Sequence, residues 1–541
     1  MRPRVLSAAL LLATACTGAT AGSFRSPAGG AHPGGTLTVG ITPPGSVDPG
    51  NDYEPSGDLV IRTMCDALLT TDPRDGRLRP GLAESWVVTD NGAKVVLRLR
   101  KGLRFSDGTP LTGSDVAYTL SRVAAADFAS SAADKLRLID GFAQVHGDVE
   151  TSDDTARRRL SGVRSADKRS VEISLTHPYA DFVRVLATRL TAPVSRRAAE
   201  ADPEAFARQP VCAGPYRLAA PFAPGATTVR LVRSKAYTPA DSGLTLGGTG
   251  YADEVRFRIY PTDTAATAAA ARGDVDVAPA AAQDPKQTAA GPGPEIEYVG
   301  LPTTTPPFDR TAVRRALALA LSRTELVRRV FPRTREPATG FLPPTTGAAH
   351  SCEALPPDGD AGAAGRALAA AGVDLRGLRV PLLFNDELRN RALATEVARQ
   401  WREAVGLVAV PTPMTYSAFL AQGRGTRGFA APFRFSWAAD DVDGYLTPLF
   451  TAGAVGQDNL SRFSDPTVDE ALTRRAWRAI DPNDRALAYR RIAGLLCADM
   501  PMIPLTTRLH RYTIAASVGS AAGRFVDGST GQPLLREMYL R

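Results

Sequence analysis

The sequence predicts an α/β protein built as more than one lobe, and three observations carry that expectation. At 541 residues and 44% hydrophobic, the chain exceeds what one core can bury, because single cores stop growing at roughly 250 to 300 residues. Strand-like and helix-like stretches alternate along it, which argues for parallel-rich α/β lobes. Turn and capping residues punctuate those stretches where elements begin and end.

The amino terminus begins with Arg2 and Arg4, continues through the apolar run Val5 to Ala15, and reaches Cys16 after the small residues Ala13-Thr14-Ala15. That pattern reads as a signal peptide over 1–15, since the run is far too short to cross a bilayer. Leu12 to Cys16 resembles a bacterial lipobox, in which the cysteine is lipidated and becomes the mature terminus. Residues 16–35 are dense in Gly, Ala, Ser and Pro without apolar period, so they read as a flexible tether. No later segment is long and apolar enough to span, which places the body outside the cytoplasm, without ATP or reduced cofactors. No cofactor is expected.

A first strand, TLTVGI from Thr36, ends in the turn residues Thr42-Pro43-Pro44-Gly45. In PGLAESWVVTDNGAKVVLRLRKGLRFSDGTPLTGSDV, Pro80 to Val116, Asn91-Gly92 makes a tight turn before Val95, Leu97 and Leu99 alternate with charged residues as a half-buried strand. Thr112 and Asp115 match a capping box opening a helix, and Trp86 and Phe105 read as core aromatics. Ala124 to Arg169 is weakly periodic and reads as a peripheral insertion. Ser170 to Leu175 is a strand, and Phe182 to Leu190 an apolar helix. Gly214-Pro215 marks a turn within Val211–Leu218, and strands are expected at Thr228–Val232 and Tyr251–Ile259. A helix over Thr264–Arg272 then ends at Gly273, ahead of a strand in GDVDVA. Asp309 precedes one helix, and Ser322 with Glu325 caps the next. Arg314 and Arg323 read there as structural ion-pairing residues facing water. Further helices are expected over Ala363–Ala371 and Asn390–Val405, each followed by Gly, and after Asp465-Pro466 and Asp481-Pro482.

The composition excludes several functions. The formal charge of +8 is spread among 56 acidic residues, with no basic block or aromatic-interleaved stripe, so no nucleic-acid partner is expected. Four cysteines besides Cys16, at 65, 212, 352 and 497, lack any CxxC and suit structural disulfides or buried thiols, with three pairings open. Histidines 32, 146, 177, 350 and 510 fall at no ligand spacing, so no protein-only metal site is expected. A hydrolase would need a nucleophile with a base, paired carboxylates or a metal, and the chain has no GxSxG or HExxH.

The Pro80–Val116 stretch resembles the signature of the family 5 extracellular solute-binding proteins. VCAGPYRL, the GDVDVA strand and VRRALALALSRTELV follow in that family's order, so the resemblance covers about Gly34 to Tyr539. It implies a two-lobed periplasmic-binding-protein type II fold (cluster C) with an additional small subdomain in lobe I. The expected partition is 36–56, 209–300 and 506–541 for the lobe I core, 57–208 for the extra subdomain, and 301–505 for lobe II. It further implies a non-enzymatic, monomeric receptor for an import ABC transporter. Such a receptor captures peptides between the lobes and delivers them to permease subunits, held at the outer face of the membrane by the Cys16 lipid or free in a periplasm. Peptide-binding relatives carry an Arg, Trp and Asp run along the cleft, matched here by Arg434, Trp437 and Asp440. Asp440 is then the partner of a ligand ammonium and Arg434 of a carboxylate, while Trp437 supplies an apolar wall and Ser436 and Ala438 backbone groups. The match departs from the family where Asp441-Val442-Asp443-Gly444 replaces an aromatic and Asp-Pro, and where Thr506-Thr507 replaces a common tyrosine. Nickel chelates, oligosaccharides and siderophores stay open as ligands, as do a sensor role and the neighbouring carboxylates as ammonium partners.

Overall fold

One mixed sheet of eleven strands organises the protein. The computed structural model describes residues 32–541 apart from 52–53, 131, 150–152, 154–157, 238–249, 281–288, 347, 387 and 440. Cys16, with the expected leader and most of the tether, and Asp440 thus lie outside the described residues. In chain order the sheet holds β1 (Thr36–Ile41), β2 (Tyr216–Leu218), β3 (Thr228–Arg233), β4 (Glu254–Ile259), β5 (Val277–Pro279), β6 (Ala289–Gly300), β7 (Arg335–Pro337), β8 (Arg379–Asn385), β9 (Val408–Met414), β10 (Phe433–Ala438) and β11 (Met502–Ile514). Their spatial order is β9-β8-β10-β6-β11-β5-β1-β4-β3-β2, with β7 paired to β11.

Parallel pairs cluster in two places. β1 lies parallel to β4 and β5, and β8 lies parallel to β9 and β10. Between these groups run β6 and β11, antiparallel to one another, β6 pairing with β10 on one side and β11 with β5 on the other. Their register slips between Pro292 and Ile296, opposite Leu509 and Thr507, which breaks the ladder where the chain passes from one lobe to the other.

Three large hydrophobic cores form around this frame. One packs β1, β4 and the carboxy-terminal segment, a second fills the Leu68–Ala213 subdomain, and the third fills the lobe containing β8, β9 and β10. The subdomain has its own four-stranded sheet: Ala83–Thr89, Lys94–Leu99, Ser170–Ser174 and Val163–Ser165, in that order. Val95, Leu97 and Leu99 are buried on the second strand, Phe105 is buried, and Trp86 packs half-buried against the same core. The Thr112–Asp115 capping box opens the helix Gly113–Ala124, and the Asp115 carboxylate accepts the Thr112 amide at 2.9 Å.

Several local expectations change. Phe182–Leu190 forms two 3₁₀ segments, Ala180–Ala187 and Arg189–Thr191, in place of an α-helix. The Thr188 and Thr191 hydroxyls donate to the Val185 and Thr188 carbonyls, and the Arg189 guanidinium is drawn to Asp58, so side chains compete with the helical ladder. A helix does follow Asp309, over Thr311–Leu319, and it starts from Arg310 with no side-chain cap. Arg314 and Arg323 do not face water: each is almost wholly buried. Arg314 joins Asp499 at 2.6 Å and donates to the Phe308 and Asp309 carbonyls. Arg323 donates to the carbonyls of Ala318, Leu321, Pro356 and Pro504. Burial pushes its pKa down to about 9, still protonated at neutral pH. These guanidiniums bind the loops and helix ends of their lobe to its crossing strand.

The cysteines pair as Cys65–Cys212 and Cys352–Cys497, each with Cα atoms 5.6 Å apart. The first joins the chain's exit into the subdomain to its return. No helix among the described residues is long and apolar enough to cross a membrane.

Candidate functional site

In open α/β sheets ligands bind beyond the carboxyl ends of parallel strands, where strand order reverses. β8 and β10 end at Asn385 and Ala438 beside the crossing strands, so the run singled out in the sequence sits at that location. Glu295 pairs with Ala438, Glu297 with Ser436 and Val299 with Arg434. Strand alternation then places Arg434, Ser436 and Ala438 on one face, and Phe433, Phe435 and Trp437 on the other.

The aromatic face turns into the lobe. Phe435 stacks on Phe419 with ring centres 5.3 Å apart and meets Tyr298 edge-on at 6.3 Å. The half-buried Trp437 indole donates to the Gly444 carbonyl at 2.7 Å, which fixes the ring against the helix Asp443–Phe450. Ala438 is exposed and Ser436 half-buried. On its side away from β6, β10 meets β8 only at Phe433, opposite Leu383. From Arg434 to Ala438 that strand edge has no ladder partner among the described residues.

The polar face carries a charge network that the sequence did not single out. The Arg434 side chain is only 5% exposed, and its guanidinium pairs with Glu297 and donates to Asn385 at 3.5 Å. Arg335, from β7, reaches Glu297 at 2.9 Å and also pairs with Glu295. Arg508, on β11, joins Glu295 at 3.2 Å. Burial lowers the Arg434 pKa to about 10, so it stays charged at neutral pH. Burial alone would raise the Glu295 carboxyl, but Arg335 and Arg508 outweigh it and hold the group below its ordinary value. One sequence signal could have revealed the network: Glu295-Ile296-Glu297 puts two carboxylates on one face of an otherwise apolar strand.

The alternative carboxylates beside Asp440 are engaged within the protein. Asp441 accepts the Gly444 amide at 2.7 Å. Asp443 is buried, accepts from the Trp477 indole at 2.6 Å and from Thr447 at 2.7 Å, and burial together with the nearby Asp441 charge lifts its pKa to about 6. Trp477 also meets the subdomain, its carbonyl accepting the Ala180 amide at 2.6 Å, while Asp181 pairs with Arg485 at 3.0 Å. Gly92, with φ of +100°, lies so close to Ala180 and Trp477 that a Cβ there would clash with both. Among the described residues no group of three or more His, Cys, Asp or Glu could hold a metal ion.

Two lobes on one sheet, a pair of strands crossing between them, and an open strand edge at that crossing define a two-lobed binding protein. The chain belongs to the bacterial extracellular solute-binding proteins, family 5, whose model matches residues 77–457. It is 28% identical over 528 residues to the probable ABC transporter periplasmic-binding protein SapA of Escherichia coli (strain K12), covering 88% of this chain and 89% of that one. Glutathione-binding protein GsiB of Escherichia coli O1:K1 / APEC is 25% identical over 502 residues, covering 90% and 91%. The fold superposes on the unliganded open form of the periplasmic murein tripeptide-binding protein MppA with a TM-score of 0.80 at 22% identity, covering 95% and 98%. The family resemblance and the two-lobed fold expected from the sequence therefore hold.

Proposed function

We propose that this protein is the extracytoplasmic receptor of an ABC importer, binding oligopeptides in extended form between its lobes and releasing them unchanged to a permease. The observation that carries this reading is the unpaired edge of β10 from Arg434 to Ala438, where an extended peptide can add as a strand. Backbone pairing there tolerates varied side chains. Asp440, at the end of that strand in the sequence, supplies the carboxylate for the peptide ammonium, a charge-assisted contact. Ser436 and Ala438 offer backbone groups, Trp437 forms an apolar wall, and Arg434, expected to meet a ligand carboxylate, instead spends its charge on Glu297 beneath the edge. The names of SapA, GsiB and MppA, two of which specify small peptides, favour this ligand class. Cys16 anchors the chain through lipid, so Cys16→Ser should release it into the medium, and continued membrane retention would refute the anchor.

The test is mass spectrometry of small molecules that co-purify with the protein, followed by thermal shifts with the compounds found. Peptides that raise the melting temperature in the unsubstituted protein, but far less in Asp440→Ala, support the reading through the linkage of binding to stability. A sugar, chelate or siderophore in their place would keep the receptor and overturn the peptide.

A further inference from the structure

We infer that the crossing-strand floor selects ligands bearing a free carboxylate, and that Arg508 is the residue that meets it. This rests on the peptide-receptor reading above. Two carboxylates and three guanidiniums gather here: Glu295 and Glu297 with Arg335, Arg434 and Arg508. Arg335 and Arg434, whose side chains are only 3% and 5% exposed, are matched by the two carboxylates in the interior. Arg508 is the cation left over, and its side chain is 44% exposed.

Register fixes where it emerges. Thr506 pairs with Glu297, itself opposite Ser436, and Arg508 lies two residues further along β11, opposite Arg335. Arg508 therefore projects from the face that carries Ser436 and Ala438. Among the described residues only Nη1 of its guanidinium is engaged, on Glu295, which leaves the rest of the planar fork open to a second carboxylate. His510, the next residue on that face, brings no compensating or competing charge at neutral pH, because burial and the Arg508 charge hold its pKa down at about 4. Gly293 packs its backbone against this face: a Cβ there would lie 3.0 Å from the Arg508 Cβ and 2.7 Å from the His510 ring.

A second observation points the same way. Arg434 Nε, Arg335 Nη1 and Thr506 Oγ1 are buried without hydrogen-bond partners among the described residues. All three can donate, and all lie on residues that touch or flank Glu297. The sealed half thus has no spare acceptor for Arg508, and the network holds one cation more than its carboxylates, so a complementary ligand brings an anionic acceptor to the exposed Arg508. Either a peptide carboxy terminus or an acidic side chain supplies that chemistry.

The experiment offers the full chain four pools of tripeptides in equal amounts: free acid or carboxy-terminal amide, each with Glu or with Gln at the internal position. Retained peptides are counted by mass spectrometry for the unsubstituted protein, Arg508→Gln and Arg508→Lys. A charge-assisted contact predicts a preference of about tenfold to a hundredfold for one carboxylate-bearing pool. That preference should collapse towards one in Arg508→Gln and survive in part in Arg508→Lys. An acid-over-amide preference identifies the peptide terminus as the source, and Glu-over-Gln the side chain. Peptide retention without a carboxylate preference, or a preference unchanged in Arg508→Gln, overturns the assignment alone. Retention of no peptide from any pool overturns the peptide reading and the assignment with it.

Discussion

Removing the Glu297 carboxylate should destabilise the lobe that holds β8, β9 and β10 more than any surface substitution. Glu297 is 1% exposed and stands between two guanidiniums that are themselves sealed from water. In Glu297→Ala, Arg434 keeps only a long contact to Asn385, at 3.5 Å, and Arg335 must share Glu295 with Arg508. Breaking a buried pair from one side leaves an uncompensated buried charge, which costs about 3 to 5 kcal/mol. Replacing both partners by apolar groups of similar size is often near neutral, so Glu297→Leu combined with Arg434→Met should recover much of the loss. Three of the four tryptophans, Trp401, Trp437 and Trp477, lie in or against this lobe's core, so urea unfolding followed by tryptophan fluorescence reports on it. A loss under about 1 kcal/mol in the single variant, or no recovery in the double one, would refute this account of the network.

Two buried groups give pH dependences of opposite sign. The folded pKa of Asp443, about 6 against an ordinary 3.8, is raised, so its ionisation costs stability above pH 6 and the cost vanishes below about pH 4. Asp443→Asn keeps an acceptor for Trp477 and Thr447, and in thermal melts its advantage over the unsubstituted protein should grow by up to about 3 kcal/mol from pH 4 to 7. His510 is the reverse case: its folded pKa of about 4 lies below the ordinary 6.5, so stability falls as pH drops through that window, and His510→Gln should flatten the fall. The disulfides close loops with sequence separations of 147 and 145, and the chain-entropy model gives each up to about 5 kcal/mol. Cys65→Ala/Cys212→Ala should then lower the midpoint of the lobe I transition, as should reduction of the native protein.

Much of the fold was legible because its signals are local. The Asn91-Gly92 turn, the Thr112 capping box, the Ser322 cap and the Asp481-Pro482 helix start each depend on residues within one turn of chain. The site was half legible for the same reason. Arg434 to Ala438 is one strand and could be read as such, whereas Glu295, Arg335 and Arg508 are distant in sequence and meet only through sheet register. Arg314 and Arg323 read as water-facing in the sequence because an arginine on an amphipathic helix usually is. What internalised them is a set of backbone carbonyls at loop and helix ends, which no residue-type pattern records. The pairing of the four cysteines likewise depended on topology, since spacing allowed three solutions.

The two halves of the crossing-strand network differ in access to water, and that difference separates stability from recognition. The Glu297 half is sealed, so no ligand can exchange with its partners without leaving a buried charge uncompensated. The Glu295–Arg508 contact is partly exposed, and pairs of that kind hold together by only about 0 to 1 kcal/mol. An incoming carboxylate can therefore compete for Arg508 while Glu295 stays satisfied by Arg335. Because β6 carries both glutamates, the sealed half fixes the strand on which the exposed half presents its acceptor. Glu297→Ala should thus shift the melting transition with little change in which carboxylate is preferred, and Arg508→Gln should do the opposite. Finding both effects in both variants would mean that the five charges act as a single unit and that the exposed pair has no separate role.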